Sequence, residues 1–499
     1  MIVQFCGAAR EVTGSCHLIT LANGYKILLD CGLYQGKDKT MQDFNTNWLF
    51  RPADIDCLIL SHAHIDHTGR VPKLVRDGFK GRIYTTQASR DLSSIMLLDS
   101  ARIQEKDAQY LAQQAPRGGS QAPPDPLYGT EDVAAALALF VSYPYNTPFQ
   151  VCPEVTVCFT DAGHILGSAA VSMQIVEKGK TLRFGFSGDI GRPNRPILND
   201  PQPMLPLDFL LCESTYGDRD HPAAPEELDK FLAIIENTCV TKKGKLLIPA
   251  FSVGRTQEIV YMLDQLVDSG RLPQIPVFVD SPLAVDATDV FIRHPECFDQ
   301  DLHHYMLTDP NPFGFKDLTY VRSVDESKAL NDRTDPCIII SASGMANAGR
   351  IQHHILNNIE NPSTTVLMVG YCSPETIGGQ LRSGNKSIYI LGQKKQVKAD
   401  IAIMDSFSAH GDRHEILSFI ANQKSTVRKI YLVHGDYPTQ QAFVTFLGQN
   451  GFPNVDIPNL GDTLTISADT SGKWNAVLTA NAQAQVKYAT TQSEEGSGE

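Results

Sequence analysis

The chain has 499 residues, 42% of them hydrophobic, so it can form two or three domains with their own cores and needs no disulfide staples. With 43 Lys and Arg against 56 Asp and Glu, the net charge of −13 excludes unselective binding of nucleic acid over the whole surface and leaves only a local basic groove open. No uncharged apolar run reaches the ~20 residues that span a bilayer, the start Met1-Ile2-Val3-Gln4-Phe5-Cys6-Gly7 has no basic leader, and the 11 scattered cysteines include no Cys-x-x-Cys pair. A cytoplasmic protein with reduced thiols and no membrane partner is expected.

In chain order, alternating apolar residues predict strands over 24–30 and 56–60, each ending on a polar residue. The second runs into Ser61-His62-Ala63-His64-Ile65-Asp66-His67-Thr68-Gly69. A long helix is predicted over 88–114, then a Gly/Pro-rich loop over 115–126 and a helix from Thr130. Strand signals return over 155–159, followed by a hairpin at 176–181 that leads into 182–187. From about Asp218 a strand, a small-residue loop and a helix repeat four times, with strands at 246–249, 277–280, 338–340 and 366–369. This pattern predicts a parallel sheet covered on both faces, with ligands at its carboxyl ends. After Gln393 a mixed strand pattern resumes, and 481–499 is polar and expected to be disordered. The densest basic stretches, Lys242-Lys243-Gly244-Lys245 and Lys394-Lys395-Gln396-Val397-Lys398, read as solvated loops.

His62 and His64, two apart in an extended loop, can face one point, while Asp66 and His67 fall a short turn further on and can face a second. That spacing suits two metals better than one, and imidazole with carboxylate favours zinc or a similar borderline ion. Two ions need further ligands. His164 lies in the Gly-flanked turn Asp161-Ala162-Gly163-His164, and Asp189 follows Phe186-Ser187-Gly188. Alone, the first is explained as a turn residue and the second as a helix N-cap; beside the histidine loop both become candidate ligands.

The order Asp30, His62-Ala63-His64-Ile65-Asp66-His67, His164 and Asp189 resembles the four motifs of the metallo-β-lactamase fold. The resemblance implies an αββα sandwich with metals at one rim: His62, His64 and His164 on one ion, Asp66 and His67 on the other, Asp189 bridging, and Asp30 orienting the ligands. Further on, Cys212-Glu213-Ser214-Thr215-Tyr216-Gly217, Ser406-Phe407-Ser408-Ala409-His410-Gly411-Asp412 and Leu432-Val433-His434-Gly435-Asp436 resemble motifs A, B and C of the β-CASP subfamily of nucleases. The likeness runs over about residues 1–466 and is similar to the endonuclease subunit of the eukaryotic cleavage and polyadenylation factor and its prokaryotic relatives. It implies an α/β fold in which residues 1–217 and 394–480 build the metallo-β-lactamase sandwich. An α/β β-CASP domain, a parallel sheet flanked by helices, is inserted at 218–393. It also makes His434 the last ligand of the second ion, and Asp66, Glu213 and His410 the catalytic set.

The implied chemistry is a water shared by two zinc ions, ionised near neutral pH and attacking phosphorus in line, with His410 held protonated by Glu213 to supply the departing ribose oxygen. The insert would form a second wall of a cleft, where Arg255, Ser281, Ser341 and Ser343 after strands are suited to phosphate oxygens; Gly/Ser turns and helix caps account for them equally well. No Gly-x-Gly-x-x-Gly or Walker pattern is present, which counts against a nucleotide cofactor. The expected activity is zinc-dependent hydrolysis of single-stranded RNA, in RNA processing or decay. Both endonucleolytic and 5′–3′ exonucleolytic cutting are open, as are a homodimer and partners in a processing complex. A histidine at motif C marks the RNA branch of the family, which places DNA cleavage second. Thioester or lactam hydrolysis leaves Glu213, His410 and the insert unexplained, and a non-catalytic RNA-binding scaffold leaves the full ligand set unexplained. Neither a KH module before Met1 nor a long C-terminal extension is expected, so substrate selection would fall to the cleft or to partners.

Overall fold

Alternation within the first strands dictates a layered structure. In Lys26–Leu29 and Cys57–Ile59, Ile27, Leu29, Cys57 and Ile59 face one side and Leu28 and Leu58 the other, and all six are buried. A sheet buried on both faces needs cover on both. One face meets a second sheet through Phe159, Val171, Met173, Phe184, Leu211 and Tyr431. The other is covered by helices Val71–Arg76 and Thr130–Leu137 through Val71, Leu74 and Ala136. On the far side of the second sheet, Leu210, Ile430 and Leu432 pack on Ile416 and Phe419 of helix Arg413–Phe419 and on Phe443 and Leu447 of helix Tyr437–Gln449. The result is an αββα sandwich.

The computed structural model describes residues 1–36, 39–114, 125–221, 227–370, 372–404 and 408–481. Most of the loop at 115–126, the motif residues Ser406 and Phe407, and the tail beyond Asn481 lie outside the described residues. The chain divides into two compact units, Met1–Asn194 with Asp200–Asp220 and His410–Glu499, and Arg195–Asn199 with His221–Ala409. The sandwich belongs to the first. Its eight-stranded sheet runs, edge to edge, Trp474–Thr479, Thr463–Ala468, Ile2–Gly7, Cys16–Thr20, Lys26–Leu29, Cys57–Ile59, Arg82–Thr85, Phe140–Ser142. The seven-stranded partner runs Val455–Asp456, Lys429–Leu432, Phe209–Cys212, Lys180–Phe186, Ala169–Glu177, Val155–Asp161, Phe149–Cys152. The expected hairpin is present: Ala169–Glu177 pairs antiparallel with Lys180–Phe186, and Lys178 and Gly179 both take left-handed φ values, 52° and 74°, as a two-residue turn between twisted strands requires.

The second unit holds a six-stranded sheet, Leu318–Tyr320, Val277–Val279, Cys337–Ser341, Lys245–Pro249, Thr365–Val369, Asp400–Met404, in which every pairing is parallel. The four strands expected from the repeat occupy its centre. Asp400–Met404 joins its edge beside Thr365–Val369, and this compact unit runs on to Ala409. The polar stretch that reads as a boundary is an exposed hairpin, Ser387–Ile390 paired with Gln393–Gln396. Among the described residues no helix is long and apolar enough to cross a membrane, and the cysteines form no disulfides.

Candidate metal centre

The ligand-type side chains named from sequence in the first unit stand in turns, most of them just beyond the end of a strand. After Cys57–Ile59 the chain passes His62 and His64 and turns through the single helical turn Ile65–Thr68, which brings Asp66 and His67 round to the same side. Backbone bonds pin that turn from below: Ser15 N–H donates to the Asp66 carbonyl (2.8 Å), Cys31 N–H to that of His67 (2.8 Å) and Leu33 N–H to that of Ile65 (2.9 Å). The approach is so close that a Cβ on Gly32 would stand 1.6 Å from the Asp66 carbonyl oxygen, so only glycine fits.

His164 sits in a turn tied by Gly163 N–H to Asp161 Oδ1 (2.9 Å) and by His164 N–H to Ser168 Oγ (2.9 Å). Asp189 and Glu213 follow the strands Lys180–Phe186 and Phe209–Cys212, and Glu213 N–H donates to Ser187 Oγ (2.9 Å). His410 immediately precedes the helix capped by Asp412, whose carboxylate accepts from the N–H groups of His414 and Glu415. His434 follows Lys429–Leu432 with φ at 52°, and Asp30 has φ at 56°. Both are non-glycine residues held in a left-handed conformation that few L-residues adopt, a form of strain that clusters at functional sites.

These residues converge into three groups whose ligand atoms lie within 4.8 Å of one another: His62, His64, His164 and Asp189; Asp66, His67 and His434; Asp189, Glu213 and His410. His64 Nδ1 lies 3.1 Å from His62 Nε2 and 3.2 Å from His164 Nε2, while the Nε2 atoms of His67 and His434 are 3.1 Å apart. Asp189 stands between the groups. Its Oδ2 is 3.5 Å from His62 and 3.6 Å from His164, and its Oδ1 is 3.3 Å from His67 and 3.6 Å from His434. Both oxygens are buried and neither accepts a hydrogen bond.

The outer ring nitrogens decide which lone pairs face inward. Asp30 Oδ2 can only accept, so His67 Nδ1, 2.6 Å away, carries a hydrogen and Nε2 is the nitrogen turned to the cluster; burial disfavours charge on this ring, but Asp189 first and Asp30 next hold it well above the usual histidine range, so a cation would displace the Nε2 proton. Ser61 gives its single hydrogen to the same carboxylate (2.9 Å) and so accepts from His62 Nδ1 (3.1 Å). Burial holds His62 and His164 well below the usual histidine range and His64 at about 4, which leaves three neutral rings. Burial would raise Asp66 and Asp189, yet the surrounding imidazoles, His67 foremost for Asp66 and His434 for Asp189, hold both below the usual carboxylate range. Three neutral imidazoles and two ionised carboxylates, with His67 and His434 beside them, form a donor set that a divalent cation completes.

The third group differs. Glu213 Oε1 already accepts from Ile190 N–H and faces His410 Nδ1 at 3.3 Å, and Oε2 accepts from Thr215 N–H at 3.3 Å. Its oxygens are committed, and the contact with His410 is an ion pair rather than a cation cradle. Burial opposes charge on His410, but Glu213 first and Asp189 second raise it to about 9.

The remaining residues named from sequence lie in the second unit, at or after the carboxyl ends of its parallel strands. Arg255 opens helix Arg255–Asp268 and pairs with Glu258. Ser281 caps helix Pro282–Arg293 and lies 3.1 Å from Ser252 Oγ; Ser341 donates to the Asp280 carbonyl (2.8 Å) and Ser343 to that of Ala348 (3.3 Å). Sequence reasoning passed over Asp280 itself, which is fully buried and accepts from Ser327, His354 and Arg350. It also gave no part to Ser61 or Thr215, although each is a hydroxyl residue beside a named ligand or acid. Thr215 Oγ1 is 3.0 Å from His434 Nδ1 and 3.2 Å from the His434 carbonyl.

Three family models match the chain: the metallo-beta-lactamase superfamily over residues 9–94, the Beta-Casp domain over 256–381, and the Zn-dependent metallo-hydrolase RNA specificity domain over 394–458. Ribonuclease TTHA0252 of Thermus thermophilus is 34% identical over 93% of this chain and all of its own length. The transcription termination factor FttA is 29% identical in Methanosarcina mazei and 30% in Methanocaldococcus jannaschii, each over 87% of this chain and 67% of the relative.

Proposed function

The chain belongs to the β-CASP family of metallo-β-lactamase-fold ribonucleases and is a metal-dependent hydrolase of RNA, and we propose that it cuts single-stranded RNA in the cytoplasm with two zinc ions. The observation that carries the reading is Asp189, which turns one oxygen to His62 and His164 and the other to His67 and His434. A carboxylate so placed would serve two ions. His62, His64 and His164 would hold one, Asp66, His67 and His434 the other, and Asp30 and Ser61 fix the rings of His67 and His62. When bound, the ions supply the acidity that ionises a water near neutral pH and the charge that offsets a phosphate.

The chain's own residues supply the rest. Glu213, fully buried, keeps His410 charged, and His410 Nε2 lies 3.9 Å from Asp189 Oδ2, where it can protonate the ribose oxygen that departs from phosphorus. Arg255, Ser281, Ser341 and Ser343 are proposed to meet the RNA backbone. The reading is tested by incubating the purified chain with 5′-labelled and 3′-labelled single-stranded RNA and with single-stranded DNA, with and without a chelator. Metal-dependent cleavage of RNA is expected; cleavage that survives complete metal removal, or DNA cut in preference to RNA, refutes it.

A further inference from the structure

We infer that Thr215 is a positioning residue that fixes His434 for the second metal; the inference rests on the ligand sets proposed above. Thr215 stands two residues beyond Glu213 on the segment leaving strand Phe209–Cys212, and its hydroxyl meets His434 at two atoms, the carbonyl oxygen (3.2 Å) and Nδ1 (3.0 Å). A hydroxyl has one hydrogen. A carbonyl oxygen only accepts, so the hydrogen goes there, and Oγ1 is left to accept from Nδ1. The ring hydrogen that Thr215 accepts therefore sits on Nδ1, which leaves Nε2, 3.1 Å from His67 Nε2 and hydrogen-bonded to Asp66 Oδ2 at 3.4 Å, as the nitrogen that would meet a metal.

The same logic fixes His67 through Asp30 and His62 through Ser61; the Ser61 hydroxyl is itself held by the Asp30 carboxylate, whereas the Thr215 hydroxyl is held by the carbonyl of His434 itself. Its backbone is also held from the same segment. Ser214 N–H donates to the His434 carbonyl (3.1 Å), Ser214 Oγ donates to the Val433 carbonyl (2.8 Å), and Gln440 Nε2 donates to Ser214 Oγ (3.2 Å). A Cβ on Gly435 would stand 2.5 Å from Ser214 Oγ, so Gly435 permits this approach. With φ at 52°, the His434 backbone is in a conformation its side chain disfavours, and the clamp from Ser214 and Thr215 holds it there. One three-residue segment thus serves both halves of the chemistry: Glu213 holds His410, and Thr215 holds His434.

The test is zinc binding to metal-stripped protein, measured by competition with a chromophoric chelator, for wild type, Thr215→Val and Thr215→Ser. Valine keeps the shape and loses the acceptor. Wild type and Thr215→Ser should bind two ions per chain, whereas Thr215→Val should keep the ion held by His62, His64 and His164 and bind the other about 10–100-fold more weakly. Equal affinity of Thr215→Val and wild type for both ions overturns the role of Thr215 and leaves the nuclease reading standing. A wild-type chain that binds no zinc overturns both. Should the valine variant fail to fold, ¹⁵N–¹H spectra of the zinc-loaded wild type decide: a hydrogen on His434 Nδ1 supports the inference, and one on Nε2 overturns it.

Discussion

If Glu213 acts on the reaction only through His410, removing both costs no more than removing His410 alone. The structure sets the terms: Glu213 is fully buried, and its Oε1 lies 3.3 Å from His410 Nδ1. His410→Ala deletes the general acid, a loss of ~10²–10⁴-fold in kcat, or ~2.7–5.4 kcal/mol. Glu213→Gln keeps an acceptor and loses the charge, which weakens one charged hydrogen bond by ~1.5–3 kcal/mol and so slows cleavage ~10–100-fold. The raised value of about 9 for His410 gives the pH dependence its sign. With Glu213 the ring keeps its proton up to about pH 9, and without it the proton leaves at lower pH, so the deficit of Glu213→Gln should grow from pH 6.5 to pH 8.5. The assay is single-turnover cleavage of labelled RNA by metal-loaded protein, with zinc content checked for each variant. The double variant should match His410→Ala to within ~2-fold. A further ~10–100-fold loss in the double variant would refute the pairing, because Glu213 would then act by a route of its own.

Gly32→Ala should remove both zinc affinity and cooperative unfolding of the first unit, since a Cβ 1.6 Å from the Asp66 carbonyl oxygen meets backbone that cannot rotate away; calorimetry and zinc titration check this. Metal removal should lower the melting temperature by roughly 10 °C, the size expected for losing an ion present at ~1,000 times its Kd; a chelator titration that leaves melting unchanged contradicts the site. In the second unit, burial raises Asp264 to about 6 even though Tyr305 donates to it at 2.8 Å. An acid with a raised folded value contributes stability below its unfolded value and loses it as pH climbs through the folded one. Asp264→Asn should therefore melt with wild type near pH 4 and several degrees above it at pH 8.

What could be read from the chain followed the range of the interactions involved. His62 to His67 announce themselves because their spacing is local, and the four parallel strands because runs such as Ile338-Ile339-Ile340 are apolar on both faces. Asp400–Met404 escaped because an edge strand is set by its partner, and its approach is masked by the polar hairpin of Lys394 and Lys395. The nitrogen each histidine presents was equally hidden. His64 turns Nδ1 inward while His62 turns Nε2, and that choice rests on Ser61, Asp30 and backbone geometry rather than on residue type. Thr215 lay inside a quoted motif, yet its partner is 219 positions away.

That separation has a consequence for synthesis. The strand Lys429–Leu432, which leads to His434, pairs in parallel with Phe209–Cys212, and all of the second unit but Arg195–Asn199 lies between them in the chain. A ribosome making the protein from its amino end therefore releases the histidine loop, Asp189 and Glu213 first, then the insert, then His410 and His434. At ~5–20 residues per second, tens of seconds pass with one ligand set complete and the other lacking its last member. The catalytic centre is assembled last, so a nascent chain, held beside the very class of polymer it hydrolyses, carries neither its proton donor nor its second metal site.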